Sequence, residues 1–496
     1  MSTTPWSCAL AFLALTSGTA QAMNPDAPMK ARPPESGVLG AEGDTPSRSP
    51  LTGDLRGRGP SLAEPGSASP FGERSLPTPS ALGASGANGV GVPSATPRPV
   101  IPDADTMTPL RVEPAAERAD SLPTEAEKVP RGACGIADLA GGGHDAGRTQ
   151  DHGDPDKKPD GTSATRALLA PASPRCAAGY LRWVAGLRDA APEPAHPAPA
   201  YRFEAELHRD LAAQVAEQPG LVTPFVVGTS VRGRPIWGFR VLQPGVAVRQ
   251  TLLVVANLHA LEWVPSEIAT DFVTGLAHHP PPGVSTIVVP TMNPDGRARV
   301  EMDLRRGDNR FRRGNANNID LNRDFAELRD GPTPFRWMMP WRYGGTPGPL
   351  SQPESRALDA LADAGRFDAA VSLHAFGGYL FYPYAGAWER PPDHAALHRM
   401  AVTMQGGMGN GAYQPRQLSR FFFAFVGQGM EIDHLYRRYG TRAVLVETTR
   451  SGLSPLRPRA WGTHFRWYNP QDPAPDVRDN LGALRALAWS LAFDTP

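Results

Sequence analysis

Lysine is nearly missing from this chain. Only Lys30, Lys128, Lys157 and Lys158 occur, so residues 159 to 496 carry none. That absence excludes a phosphate-binding loop there, because its glycine-rich turn must end in lysine. It also excludes Schiff-base chemistry in the same region. A Gly-x-Ser-x-Gly nucleophile elbow is absent as well, which removes the common serine-hydrolase reading. Charge of either sign is not in excess: 50 Lys+Arg against 50 Asp+Glu give a formal net charge of zero. Nothing in that balance points to nucleic acid as a partner. No run reaches about 18 apolar residues, so stable membrane insertion is not expected.

Aromatics are scarce in the first third. From Met23 to Ala178 the only one is Phe71, and half of the 54 prolines fall between residues 23 and 200. A segment so poor in apolar surface cannot offset the entropy of ordering it. Residues 23–200 therefore read as a long, largely disordered N-terminal extension rich in Pro, Gly, Ser and Ala.

Ahead of it, residues 1–22 read as a signal peptide. "CALAFLALTSG" supplies the apolar core and "AQA" before Met23 the small residues for cleavage. The opening "MSTTPW" departs from the usual pattern, because it brings no Lys or Arg. The expectation is a secreted or periplasmic protein. Cysteine usage is compatible with export. Cys8 would leave with the signal, while Cys134 and Cys176 remain either as one disulfide or as two free thiols. Neither has the close Cys or His neighbours of a zinc ligand.

From about Tyr201 the texture changes. "PIWGFRV" (235–241), "TLLVVA" (251–256), "TIVVPTM" (286–292), "AAVSLH" (369–374) and "AVLVETT" (443–449) read as strands. Several are too uniformly apolar to face water on one side. Helical patterns lie between them: "PSEIATDFVTGLA", "ESRALDALADAG" and "HAALHRMAVTMQ". The chain closes on "DVRDNLGALRALAWSLAF", where Asp476 is the expected cap. Such alternation means an α/β domain with a sheet covered on both faces.

In open α/β sheets, ligands gather just beyond strand ends. His259 follows "TLLVVAN", His374 ends "AAVSLH", and Glu447 lies in "AVLVETT". Catalytic zinc takes three nitrogen or oxygen ligands and keeps a fourth position for water. His259 and Glu262, three residues apart in "NLHALEW", offer two such ligands, and His374 a third. "NPDG" (293–296) reads as a turn directly after a strand. The stretch "RFRRGNANNIDLNRDF" then gathers Arg310, Arg312, Arg313 and Arg323 near Asn322. Planar guanidiniums suit a carboxylate on the ligand.

The stretches "GTSVRGRPIW", "NLHALEW", "MNPDG", "RGNANNIDLNRDF", "SQPES", "SLHAFGGYLFYPY" and "VLVETT" together resemble the zinc metallocarboxypeptidase family (carboxypeptidase A type, peptidase M14). They occur in that family's order, from about Tyr201 to the C-terminus. The resemblance implies a single catalytic domain over 201–496, with a mixed, mostly eight-stranded sheet covered by helices on both faces. It implies one Zn2+ per chain held by His259, Glu262 and His374, with Glu447 as general base. Arg313 would stabilise the developing oxyanion, although Arg312 remains an alternative. Asn322 and Arg323 would hold the free C-terminal carboxylate of a peptide or protein substrate. Phe425 falls where relatives carry a mobile tyrosine, which implies weaker substrate binding with catalysis retained, and Ile432 falls at the floor of the specificity pocket. Asp324 replaces an asparagine usual in relatives and would temper the charge of the clamp. A monomer is expected. The alternatives are a murein peptide amidase of the same fold and a catalytically silent binding module.

Overall fold

In a computed structural model of the chain, the described residues are 122–130, 133–136, 174–188, 197–329, 346, 348–409, 413–421, 426–450 and 462–493. The signal sequence, most of the extension and Phe425 lie outside them.

Eight strands make one sheet: β1 (Val222–Thr229), β2 (Pro235–Val241), β3 (Gln250–Ala256), β4 (Val284–Val289), β5 (Ala369–His374), β6 (Tyr379–Tyr382), β7 (Gln414–Gln417) and β8 (Arg442–Glu447). Their order is β1-β2-β4-β3-β5-β8-β6-β7. The central β4, β3, β5 and β8 are mutually parallel, while β1, β2 and β4 pair antiparallel and β6 runs antiparallel to β8. The four central segments are the apolar, β-branched runs of the sequence, as burial on both faces requires. The outermost strands, β1 and β7, each contain a proline, Pro224 and Pro415. Proline cannot donate to a ladder, so within a strand it sits at such edges, and Pro235 of the interior β2 is that strand's first residue.

Nine α-helices accompany the sheet among the described residues: α1 (Pro174–Arg188), α2 (Glu204–Glu217), α3 (Val264–His278), α4 (Pro294–Arg306), α5 (Pro353–Gly365), α6 (His394–Gly406), α7 (Glu431–Tyr439), α8 (His464–Tyr468) and α9 (Ala474–Phe493). Alternate residues of β3 sort to two cores. Leu252, Val254 and Ala256 pack with Ile268 and Phe272 of α3, Met404 of α6 and Leu487 of α9. Leu253 and Val255 pack with Leu358 and Leu361 of α5 and Leu435 of α7. The expected covering of both faces is what the structure has.

Local expectations changed in three places. "NPDG" is the start of α4, not a free turn: Asn293 caps it by accepting from Gly296 N, and Pro294 occupies the first turn, where its missing N–H costs nothing. Asp476 sits inside the first turn of α9, since that helix begins at Ala474. Third, packing extends back into the stretch read as an extension. Tyr180, Trp183 and Val184, three and four apart on α1, are buried in the first core. Tyr180 and Trp183 lie against Trp237 of β2 at 4.8 and 5.2 Å between ring centroids. A disulfide joins Cys176 of α1 to Cys134. The Cys134 segment covers the β1 edge, its carbonyl accepting from Val226 N at 2.7 Å. None of the described helices is long and apolar enough to cross a membrane.

Candidate active site

Sheet topology brings the functional side chains together. β3, β5 and β8 are adjacent and parallel, so their carboxyl ends open at the same edge. His374 and Glu447 end β5 and β8 and are register partners. The loop after β3 carries His259 and Glu262. Asn257, at φ 56°, turns the chain there, and its Nδ2 donates to the carbonyls of His259 (3.0 Å) and Glu262 (2.8 Å). Left-handed backbone of this kind is tolerated by asparagine better than by most residues. Asn469 clamps the same loop from outside, accepting from Trp263 N at 2.8 Å and donating to the Leu261 carbonyl at 2.7 Å.

His259, Glu262 and His374 are all buried, and one donor atom from each lies within 4.8 Å of the others. The two Nδ1 atoms are 3.0 Å apart, with Glu262 Oε1 2.8 Å from the first and Oε2 3.1 Å from the second. Each histidine has its far nitrogen on a buried carboxylate: His259 Nε2 on Asp320 Oδ1 at 3.0 Å, His374 Nε2 on Glu431 Oε1 at 2.9 Å. Those bonds place the ring protons on Nε2 and aim both Nδ1 lone pairs at a common point. Two such lone pairs repel unless a proton or a cation lies between them. Burial works against charge on His374, but Glu431 and Glu262 outweigh it and push its pKa up to about 10. Glu262 is also buried, yet its histidine neighbours, His259 first, hold it well below the ordinary carboxylate range. The field favours positive charge at the centre. Two imidazole nitrogens and one carboxylate are the donor set of catalytic-type zinc.

Glu447 stands beside this cluster. Its Oε2 is shut off from solvent and has no hydrogen-bond partner. Burial, reinforced by the negative charge of Glu262, pushes its pKa up to about 8, with His374 and Arg313 opposing. An unpartnered buried carboxylate oxygen calls for an explanation, and groups of this kind cluster at functional sites.

Of the clustered arginines, Arg313 reaches the centre directly. Arg313 Nε donates to Asp320 Oδ2 at 2.8 Å, and its Nη1 reaches Glu262 Oε1 at 3.4 Å. Arg312 instead makes two bonds to Asp303 of α4, at 2.7 and 3.2 Å. Arg310 is exposed near Asp308. Asn322 and Arg323 lie on a single 3-10 turn, Leu321–Arg323. The amide of Asn322 is buried behind His374, its Oδ1 accepting from Glu431 N at 3.0 Å and its Nδ2 lying 3.4 Å from His374 Nε2. Arg323 is 9% exposed, and one guanidinium nitrogen donates to the Asn322 carbonyl. Asp324 does not temper this clamp. It is turned away, accepting from Ser351 Oγ and Gln352 N at the start of α5.

Ile432, the expected pocket floor, has no exposed surface and packs in the second core. Phe425, the other pocket residue, lies outside the described residues. Sequence reasoning missed Asp320 and Glu431. Asp320 stands inside the quoted "DLNRDF" stretch, whereas Glu431, 57 residues from His374, carried no local signal.

A family model described as zinc carboxypeptidase matches residues 207–453. The chain is similar to mouse carboxypeptidase A2, at 26% identity over 41% of this chain and 51% of that one. It is similar to mouse carboxypeptidase D, at 30% identity over 39% of this chain and 15% of that one. It spans about half the length, or less, of these curated relatives. Among solved structures it is similar to bovine thrombin-activatable fibrinolysis inhibitor in complex with tick carboxypeptidase inhibitor. That match has 18% identity and a TM-score of 0.47 over 59% of this chain and 97% of that one.

Proposed function

The chain belongs, through residues 207–453, to the zinc carboxypeptidase family, and on that premise we propose that it is an exported enzyme removing C-terminal amino acids from peptides or proteins. The observation that carries this reading is the convergence of His259, Glu262 and His374 beside Glu447, whose Oε2 has no hydrogen-bond partner. Zinc held by the first three supplies a Lewis acid for the scissile carbonyl and lowers the pKa of water toward about 7.

The remaining work falls to this chain's own side chains. Glu447 takes a proton from the attacking water and delivers it to the departing amine nitrogen, a transfer typically worth about 10²–10⁴ in rate. Its raised pKa suits both halves of that task. Arg313, steered by Asp320, presents its guanidinium to the oxygen on which negative charge develops. Arg323 pairs with the free carboxylate of the substrate, supported by Asn322. A site that buries such a cation penalises any substrate without an anion to meet it. That penalty makes the enzyme an exopeptidase. Phe425 in place of a hydroxyl-bearing residue weakens substrate binding.

Export is supported by the apolar stretch ahead of "AQA" and by the Cys134–Cys176 disulfide, a bond of oxidising compartments. The test is a matched pair of peptides, one with a free C-terminus and one amidated, assayed for released amino acid. Cleavage of the free peptide alone supports the reading. Cleavage of neither, with activity on diaminopimelate-containing muropeptides, would replace it by the amidase.

A further inference from the structure

Glu431 is a buried acid for which the proposed reaction has no direct use. It opens α7 and has no exposed surface. Its Oε1 accepts from Ser372 Oγ at 2.6 Å and from His374 Nε2 at 2.9 Å. Its backbone N–H is fixed independently by Asn322 Oδ1 at 3.0 Å. Placement at a helix N-terminus suits the negative charge. Ser372 and His374 are two apart on β5, so they point to one face of the sheet and meet the same oxygen. Two side chains of β5 thus converge on one carboxylate oxygen, while the turn carrying Asn322 holds the backbone of the same residue.

Resting on the zinc reading above, we infer that Glu431 is a positioning residue that fixes the tautomer and tilt of His374 and strengthens its hold on the metal. His374 Nε2 has three neighbours: Glu431 Oε1 at 2.9 Å, Ser372 Oγ at 3.1 Å and Asn322 Nδ2 at 3.4 Å. The Asn322 amide is itself a donor and would favour a bare Nε2, which would put the proton on Nδ1 and block the ligand atom. The Ser372 hydroxyl has already given its proton to Glu431. Only the carboxylate demands a proton on Nε2 and so leaves Nδ1 free. A charged acceptor also makes the imidazole a stronger donor to a cation than a neutral acceptor would. With Asp320 doing the same for His259, both imidazole ligands are backed by carboxylates from separate parts of the chain.

The test uses the full chain and zinc alone, with affinity read by competition against a chromophoric chelator. Loss of an outer carboxylate behind a ligating histidine typically weakens metal binding about 10–100-fold. Glu431→Ala is expected in that range. Glu431→Gln, which keeps the volume and an acceptor but not the charge, should fall between it and the parent. Glu301→Gln, a buried acid on α4 away from the site, should bind zinc like the parent, which separates positioning from general loss of stability. At saturating zinc, both Glu431 variants should keep the parental KM and lose kcat. If Glu431→Ala fails to fold, the Gln variant decides, because its shape is conserved. Parental zinc affinity in the Gln variant, or equal weakening in Glu301→Gln, would overturn the inference. A parent that binds zinc tightly but cleaves no peptide would refute the carboxypeptidase reading and leave this measurement standing.

Discussion

His374 and Glu447 face one another as the last register pair of two adjacent parallel strands, β5 and β8. The sheet itself therefore sets an imidazole of the candidate metal site beside a carboxylate with an unpartnered oxygen, and no loop has to be ordered to bring them together. Strand ends are stiffer supports than loops, which suits groups that must hold position during proton transfer.

Replacing a ligand should remove the metal. His259→Ala or His374→Ala leaves two donors where three converged, so zinc per chain measured after dialysis should fall from about one to near zero. Retention of stoichiometric zinc by both variants would place the metal elsewhere.

Arg313→Ala should lower kcat about 10²–10³-fold, the range for losing one oxyanion donor. Arg312→Ala should not, because Arg312 is occupied with Asp303. The comparison is made on a peptide of unchanged sequence at saturating zinc. The reverse ranking would assign the role to Arg312.

The extension residues that pack on the domain should matter for stability. Trp183 is buried against Trp237, and truncation of a core tryptophan to alanine costs about 3–5 kcal/mol. Losing the Cys134–Cys176 bond should cost about 2–4 kcal/mol. Denaturant unfolding of Trp183→Ala and of the double Cys→Ser variant checks both. Parental midpoints would mean that α1 contributes nothing to the domain.

Glu301 predicts a pH dependence away from the site. Burial, with Glu204 adding to it and Arg297 and Arg305 opposing, raises its pKa from 4.5 to about 7. A raised carboxyl binds its proton more tightly folded than unfolded. Its contribution to stability is full below pH 4.5 and is lost as pH rises through about 7. Glu301→Gln should accordingly flatten the decline in Tm across that window. An unchanged profile would show that Glu301 is not responsible.

Much of this was legible in the sequence, and the reasons for the rest are physical. β3, β4, β5 and β8 announced themselves because burial on both faces demands continuous apolar runs. Edge strands β1 and β7 did not, since Pro224 and Pro415 argue locally against a strand and are tolerated only at an edge. His259, His374 and Glu447 stood out through their places at strand ends. Glu431 could not, because its partner is 57 residues away and only the β5–α7 packing joins them. Helix α1 was hidden by its setting: Tyr180 and Trp183 have helical spacing, but the prolines that follow them, Pro192 to Pro199, set the boundary too late.

The most direct measurement is single-turnover release of a C-terminal amino acid by zinc-loaded parent and zinc-loaded Glu447→Gln. Both should carry one zinc per chain, chelator should silence the parent, and the variant should be slower by about 10²–10⁴-fold. Parental turnover in Glu447→Gln with zinc bound would contradict the account at its centre.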